Sequence, residues 1–513
     1  MTEALARLQA IHRKNLAGGG AQHVERQHAR GKLTARERID VLIDPGTFRE
    51  LGSCVNTTGQ RIDGRETDAP GDGAVIGTAL MEGRPVAVYA SDFTVLGGSL
   101  GVQHGFKFIK LLELAADWGI PMVWLLDSSG GRLGYRDVPG AGIDWWFALQ
   151  SRFSGYIPQI NVLMGPCIAG QAYCPALCDF LLMSRGTGHL WLGGPRMTQA
   201  ATAEKIGDDV GGADYHMTYS GTCDAVGDDD QESIRLARTL LGYLPSNSGQ
   251  EPPRKTPTDD PARPTPELAE IVPIDPDAPY DVRRVIAALV DDGDYFEIKA
   301  EYAEQIVTCF ARFDGRVTGL AANNPARPAG LDIDACDKLY RFLEVCDAYR
   351  IPLVTLVDTP TRVPGEDQEA KGLIRHLAKV IDVYATSTIP KISLVLRRAA
   401  ADAGGIVLGM VKGMGVDVSY AWPLAEYTVE ASVLDLRGRG DLGVEADAYE
   451  GYLNRSRETV DVFEAARSWT AQVVDEIIDP RDSRIKIIEA LAVTRGKQKI
   501  LPRRAKTHGC SPT

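Results

Sequence analysis

The sequence has no C-x-x-C pair, no apolar run approaching the ~20 residues of a membrane helix, and no excess of positive charge. Its nine cysteines stand at 54, 167, 174, 178, 223, 309, 336, 346 and 510. An odd number at loose spacings argues against a disulfide framework or a zinc site, and for reduced, buried thiols. Cys174 and Cys178 are four apart, as on one helix face, and packing is the reading given to them. No metal ligand set is expected. The opening "MTEALARLQAIHRKNLAGGG" is a polar-faced helical pattern without the apolar core of a secretory signal. The expected location is therefore cytoplasmic. The net charge of −13 makes nucleic acid and anionic membranes poor partners. It leaves room for a local basic pocket that takes a phosphate-bearing ligand.

What is present is repetition. Proline crowds "PSNSGQEPPRKTPTDDPARPTPELAEIVPIDPDAP", where hydrophobic periodicity stops. The expected organisation is a first domain over 1–245, a linker over 246–279 and a second domain over 280–513. The halves echo each other. "GIPMVWLLDSSGGR" resembles "RIPLVTLVDTPTRVPG", with Asp127 and Asp358 separated by 231 positions. "IPQINVLMGPCIAG" resembles "IPKISLVLRRAAADAGG", with Pro158 and Pro390 separated by 232. Two pairs in one order at nearly one offset indicate a duplicated domain. In each half a helix-period segment ("KFIKLLELAADWG", "DKLYRFLEVCDAYR") precedes a Pro-initiated strand. A second such strand follows, then a turn rich in small residues. This alternation predicts an α/β fold with mainly parallel strands.

Such folds place ligands at the turns after the strands. In "MGPCIAGQAYCPALCDF" the turn carries Ala169 and Gly170, and the second half offers Gly404, Gly405 and Ile406. Small residues opening a helix expose N–H groups that have no intrahelical partner. Two of these aimed at one oxygen make an oxyanion hole, each worth about 3 kcal/mol to a transition state in a dry site. Close helix–sheet packing is the competing reading of either turn. "LGGSLG", with Gly97 and Gly98, and "DSSGGR", with Gly130, Gly131 and Arg132, have the same two readings. "ARGKLTARERID" reads as an exposed helix start, capped by Thr34 with Glu37 three residues on. His104 and His376 receive no role.

Several long stretches resemble the carboxyltransferase (β) subunits of biotin-dependent acyl-CoA carboxylases and the transcarboxylase core subunit. They include "ARGKLTARERIDVLIDPGTFRELG", "DFTVLGGSLG", "LLDSSGGRL", "IPQINVLMGPCIAGQAYCPALCDF", "DIDACDKLYRFLEVCDAYRIPLVTLVD", "VSYAWPLAE" and "IIDPRDSRIKIIEALA". The resemblance implies a crotonase-type (ClpP/crotonase) fold, duplicated into two homologous domains, in a hexamer of two trimer rings. It implies transfer of a carboxyl group from carboxybiotin to the α-carbon of an acyl-CoA through an enolate. Ala169 and Gly170 match the pair that holds the thioester enolate, with Gly97, Gly98, Gly130, Gly131 and Arg132 on the acyl-CoA side. Gly405 and Ile406 match the pair for biotin, with Gly404 beside them. No A-M-K-M biotinylation motif is present, so biotin is expected on a separate carrier, charged by a biotin carboxylase subunit.

The sequence departs from the family pattern on the biotin side. Thr361 and Arg362 stand where Gly-Phe is usual, Leu408 replaces an acidic residue linked to acyl choice, and Ala169 replaces a glycine. These departures keep two alternatives in view. One is a biotin-independent acyl-CoA decarboxylase or related acyl-CoA enzyme on the same scaffold. The other is a non-catalytic assembly subunit.

Overall fold

The computed structural model describes residues 1–62, 65–132, 143–327, 330–359, 365–400, 412–428, 460–467 and 473–499. The chain divides into two compact units, Met1–Gln250 and Glu251–Thr513.

The main sheet of the first unit has seven strands: β1 (Arg49–Leu51), β2 (Ala74–Met81), β3 (Arg84–Ser91), β4 (Met122–Leu126), β5 (Gln159–Leu163), β6 (Phe180–Ser184) and β7 (Ala225–Gly227). Their spatial order is their chain order. β1, β2 and β3 pair antiparallel, and β3 through β7 pair parallel. The second unit repeats this plan with β8 (Tyr295–Ile298), β9 (Ile306–Phe313), β10 (Arg316–Asn323), β11 (Leu353–Val357), β12 (Lys391–Val395), β13 (Val418–Ala421) and β14 (Glu476–Ile477). β8 to β10 are antiparallel and β10 to β14 parallel. The duplication inferred from two short sequence pairs therefore extends through two whole sheets.

The strands form where apolar, β-branched runs are bounded by proline. β4 and β5 are buried along their full length, as expected of parallel strands covered on both faces. The helix Val102–Trp118 precedes β4 and ends at Gly119, whose φ of +62° suits glycine. Phe108 from this helix stacks on Trp146 at 4.0 Å and meets Trp124 of β4 edge-on at 4.5 Å. These rings lie at the centre of the first unit's core.

The proline-rich stretch lies against the second unit. The Lys255 N–H donates to the Gly315 carbonyl at 3.0 Å and the Thr265 N–H to the Arg481 carbonyl at 2.8 Å, and Leu268 is fully buried.

Candidate active site

Behind the site lies a buried ionic cluster. Asp127 follows β4 directly and is fully buried. Its carboxylate accepts from Gln27 at 2.8 Å, Lys32 at 2.7 Å and Arg38 at 2.9 Å. Arg38 also reaches Asp230 at 2.7 Å, and the Leu33 N–H donates to the same carboxylate. This corrects the reading of "ARGKLTARERID" as an exposed helix start. The Thr34–Glu37 capping box is formed, but Arg38 is 0% and Lys32 5% exposed. The charges face inward because Asp127 and Asp230, distant in sequence, neutralise them. Burial, opposed by Asp127, brings the Lys32 ammonium below its ordinary value. The second unit repeats the theme: Asp358, after β11, accepts from Arg397 at 2.8 Å and from the Tyr280 hydroxyl at 2.7 Å.

Three loops leave the carboxyl ends of β3, β4 and β5 and are stitched together by backbone bonds. The Ser129 N–H donates to Gly97 O at 2.9 Å, Leu100 N–H to Gly130 O at 2.9 Å, and Arg132 N–H to Leu100 O at 3.1 Å. The Ser128 N–H donates to Pro166 O at 3.0 Å, tying in the loop after β5. The Ser128 hydroxyl lies 2.7 Å from Gly98 O and 2.6 Å from Gln171 Oε1. The structure thus brings together Gly97, Gly98, Gly130, Gly131, Arg132, Ala169 and Gly170. Ser128 and Gln171 link the three loops and were not singled out in the sequence. Gln171 was the one amide side chain in "IAGQAYCPAL", and that was its only signal. It is 1% exposed, and its Nε2 has no acceptor among the described residues.

The glycines have distinct reasons. Gly98 has φ +61°, and a Cβ there would lie 2.4 Å from Asp127 O, so no larger residue fits. Gly131 faces open space, with no heavy atom within 4 Å of an added Cβ. Ala169 begins a 3₁₀ turn, Ala169–Ala172, with φ +58°. An L-residue in that region costs about 1–2 kcal/mol, and strain of this kind clusters at functional sites. The conformation is one that glycine would adopt freely, in keeping with a glycine as the family residue. A Cβ on Gly170 would meet only the end of Ile143, at 3.1 Å.

Arg132 is turned away from the loop tips. Its guanidinium pairs with Asp72 at 2.5 Å and donates to Ser99 O at 2.9 Å. It braces the loop rather than presenting a free cation. Asp72 also accepts the His104 N–H at 2.8 Å. His104 is fully buried against the Tyr89 hydroxyl, and burial lowers its pKa to about 4. It is a neutral core residue. His376 faces Asp337 at 2.7 Å. Cys167, Cys174 and Cys178 are buried, and burial pushes the Cys167 and Cys174 thiols up, so neither supplies a thiolate. Among the described residues no cluster of His, Cys, Asp and Glu could hold a metal, and no helix is long and apolar enough to cross a membrane. Gly404, Gly405, Ile406, Leu408, Thr361 and Arg362 lie outside the described residues.

The comparisons agree along the whole chain. A family model described as "Carboxyl transferase domain" matches residues 26–508. The chain is 38% identical to the propionyl-CoA carboxylase carboxyltransferase subunit of Haloferax mediterranei, covering 100% of this chain and 99% of that one. It is 39% identical to the methylmalonyl-CoA decarboxylase subunit alpha of Veillonella parvula, over 100% of each. It is similar to a solved transcarboxylase 12S structure, a hexamer with methylmalonyl-coenzyme A and methylmalonic acid bound. The TM-score is 0.91 at 38% identity, over 100% of this chain and 99% of that one. The fold is the duplicated crotonase-type fold.

Proposed function

We propose, because the chain belongs to the carboxyl transferase domain family, a specific substrate and a role for each loop of its site. The protein is an acyl-CoA carboxyltransferase. We assign propionyl-CoA and methylmalonyl-CoA as its acyl pair. These two thioesters differ by one carboxyl group, and the relatives at 38–39% identity are named for one or the other.

The observation that carries the site assignment is the convergence of the Gly97–Gly98, Ser128–Arg132 and Ala169–Gly170 loops at the strand ends. Removing a proton from the α-carbon, or carbon dioxide from its carboxylate, places negative charge on the thioester oxygen. In this reading the backbone N–H groups of Ala169 and Gly170 receive that charge. They are fixed before reaction, so no reorganisation is needed when the charge develops. Gly131, with open space before it, lets the thioester arm approach the backbone. Arg132 and Asp72 hold that loop in place without touching the reacting atoms.

Carboxybiotin on a separate carrier subunit supplies the carboxyl group in this reading. The positions assigned to it, Gly404, Gly405, Ile406, Arg362 and Leu408, are proposed on resemblance alone. A homohexamer working with a biotin carrier and a biotin carboxylase completes the assignment.

Decarboxylation is the second reading, favoured by the 39% identity to a methylmalonyl-CoA decarboxylase subunit. It uses the same enolate and the same N–H groups. The test is turnover of purified protein with methylmalonyl-CoA, with and without free biotin. Loss of methylmalonyl-CoA that requires biotin is expected. Loss without biotin moves the protein to the second reading, and binding without turnover under any condition overturns both.

A further inference from the structure

The second unit carries a cavity of about 430 Å³, a size typical of small-molecule pockets. It opens at the amino ends of the strands, the edge opposite the one that carries loops in the first unit. Arg316 begins β10, while Pro352 and Pro390 stand just before β11 and β12. Phe313, Val317, Ile389 and Leu491 give it an apolar floor.

Its rim is cationic. Three basic groups are neutralised: Arg495 by Glu251 at 2.6 Å, Arg254 by Asp314 at 3.0 Å, and Lys497 by Asp417 at 2.7 Å. Arg316, Arg350 and Lys499 also line the cavity; Lys499 donates to the Ala385 and Ser387 carbonyls, whereas Arg316 and Arg350 form no close ion pair among the described residues and share the field of Glu251 with Arg495. Six basic residues against two carboxylates, Glu251 and Asp314, line this one cavity, a local excess of positive charge in a chain of net charge −13. Lys391 lies behind them. Burial, with Lys499 and Lys497 nearby, lowers its ammonium to about 7, and its Nζ donates to the Ser387 hydroxyl at 3.0 Å.

The duplication provides an internal comparison. In the first unit Arg84 begins β3, the place of Arg316 in β10. Its guanidinium donates to Leu241 O at 3.0 Å and Leu244 O at 2.9 Å. Asn247 donates to Gly119 O at 2.8 Å. The first unit's own chain thus satisfies Arg84, whereas Arg316 makes no such bond among the described residues. Gly119 corresponds to Arg350, and both backbones are left-handed, with φ +62° and +57°. The second unit holds a strained arginine where the first holds the residue that conformation favours. Strain of this kind clusters at functional sites.

We propose that this cavity binds a nucleotide-type anion. A ring system lies on the apolar floor, and two or more phosphates lie on Arg316 and Arg350. The guanidinium fork matches phosphate geometry in a way a point charge does not. The ligand is either a free nucleoside diphosphate or the phosphorylated adenosine end of a CoA.

Calorimetric titration of the full-length protein with ADP, CoA and pyrophosphate at low salt tests this. Arg350→Gly restores the first unit's residue and relieves the backbone, so its melting temperature is expected to equal or exceed that of the parent. It is expected to weaken ADP or CoA binding at least tenfold, as is Arg316→Gln. Gly131→Leu, in the first unit's loops, separates the sources. CoA binding that survives Gly131→Leu but is lost when Arg350→Gly is added to it identifies CoA as the ligand, whereas Arg350-dependent binding of ADP alone identifies the free nucleotide. The proposal falls if neither arginine substitution changes ADP or CoA affinity. It also falls if pyrophosphate binds as tightly as both, or if Arg350→Gly instead changes the oligomeric state.

Discussion

Replacing Arg38 by methionine removes the one cation shared by Asp127 and Asp230. The side chain is 0% exposed and lies 2.9 Å from one carboxylate and 2.7 Å from the other. Methionine fills much of the same volume, so the loss is electrostatic. Asp127 keeps Lys32 at 2.7 Å, but Asp230 loses its only ion pair among the described residues. Stranding one member of a buried pair costs about 3–5 kcal/mol. Burial already raises the Asp230 pKa, so proton uptake offers partial relief and the loss should shrink as pH falls from 7.5 toward 5. Amide exchange of peptides covering Met122–Leu126 and Gln159–Leu163 measures the opening energy of these strands directly, without requiring the whole chain to unfold in one step. Adding Asp230→Asn to Arg38→Met should recover about half of the loss, because the stranded charge is gone. A loss below about 1 kcal/mol, the value for an exposed pair, would refute the reasoning. So would a double variant no better than the single one.

Three further outcomes follow from the same loops. Gly98→Ala should destabilise the first unit by about 2 kcal/mol or more, through the contact with Asp127 O and the positive φ. Gly131→Leu should leave thermal melting unchanged and raise the KM for acyl-CoA, and a drop in melting temperature would count against the open space described there. Ala169→Gly should keep turnover within about twofold and change stability by under ~1 kcal/mol, since relief of the left-handed alanine is offset by a freer unfolded chain. Loss of turnover would show that the methyl group, not the N–H, matters. His104 has its pKa depressed to about 4 from 6.5, so the unfolded chain binds the extra proton first. Stability should fall as pH drops from 6.5 toward 4, with a slope approaching 1.4 kcal/mol per unit from this group. A His104→Gln variant should show a flatter unfolding profile over that window.

The duplicated sheets were legible because strand and proline patterns are local and recur at one offset. Asp127 and Asp358 mark it in the sequence, and β4 and β11 mark it in the structure. The turn that holds Ala169 and Gly170 was legible as a turn, because small residues directly after a buried strand are a local signal. Burial of Lys32 and Arg38 was not legible. A charged segment looks solvated until its partners are known, and Asp230 lies 192 positions from Arg38. The cationic cavity was equally hidden, because Arg316, Arg350 and Arg495 are far apart in sequence. The pairing of Arg132 was not legible either: its partner Asp72 lies 60 positions earlier.

The cluster that joins Arg38, Asp127 and Asp230 also constrains the order of events during synthesis. Its residues emerge from the ribosome at widely separated times, with Asp230 close to the end of the first unit. Until that carboxylate appears, Arg38 has only half of its charge compensated, and the ladder from β4 to β7 lacks its last strand. Closing such long loops is entropically slow. The first unit is therefore expected to remain open on the ribosome until nearly all of its 250 residues have been made, and to lock in one late step as Asp230 docks.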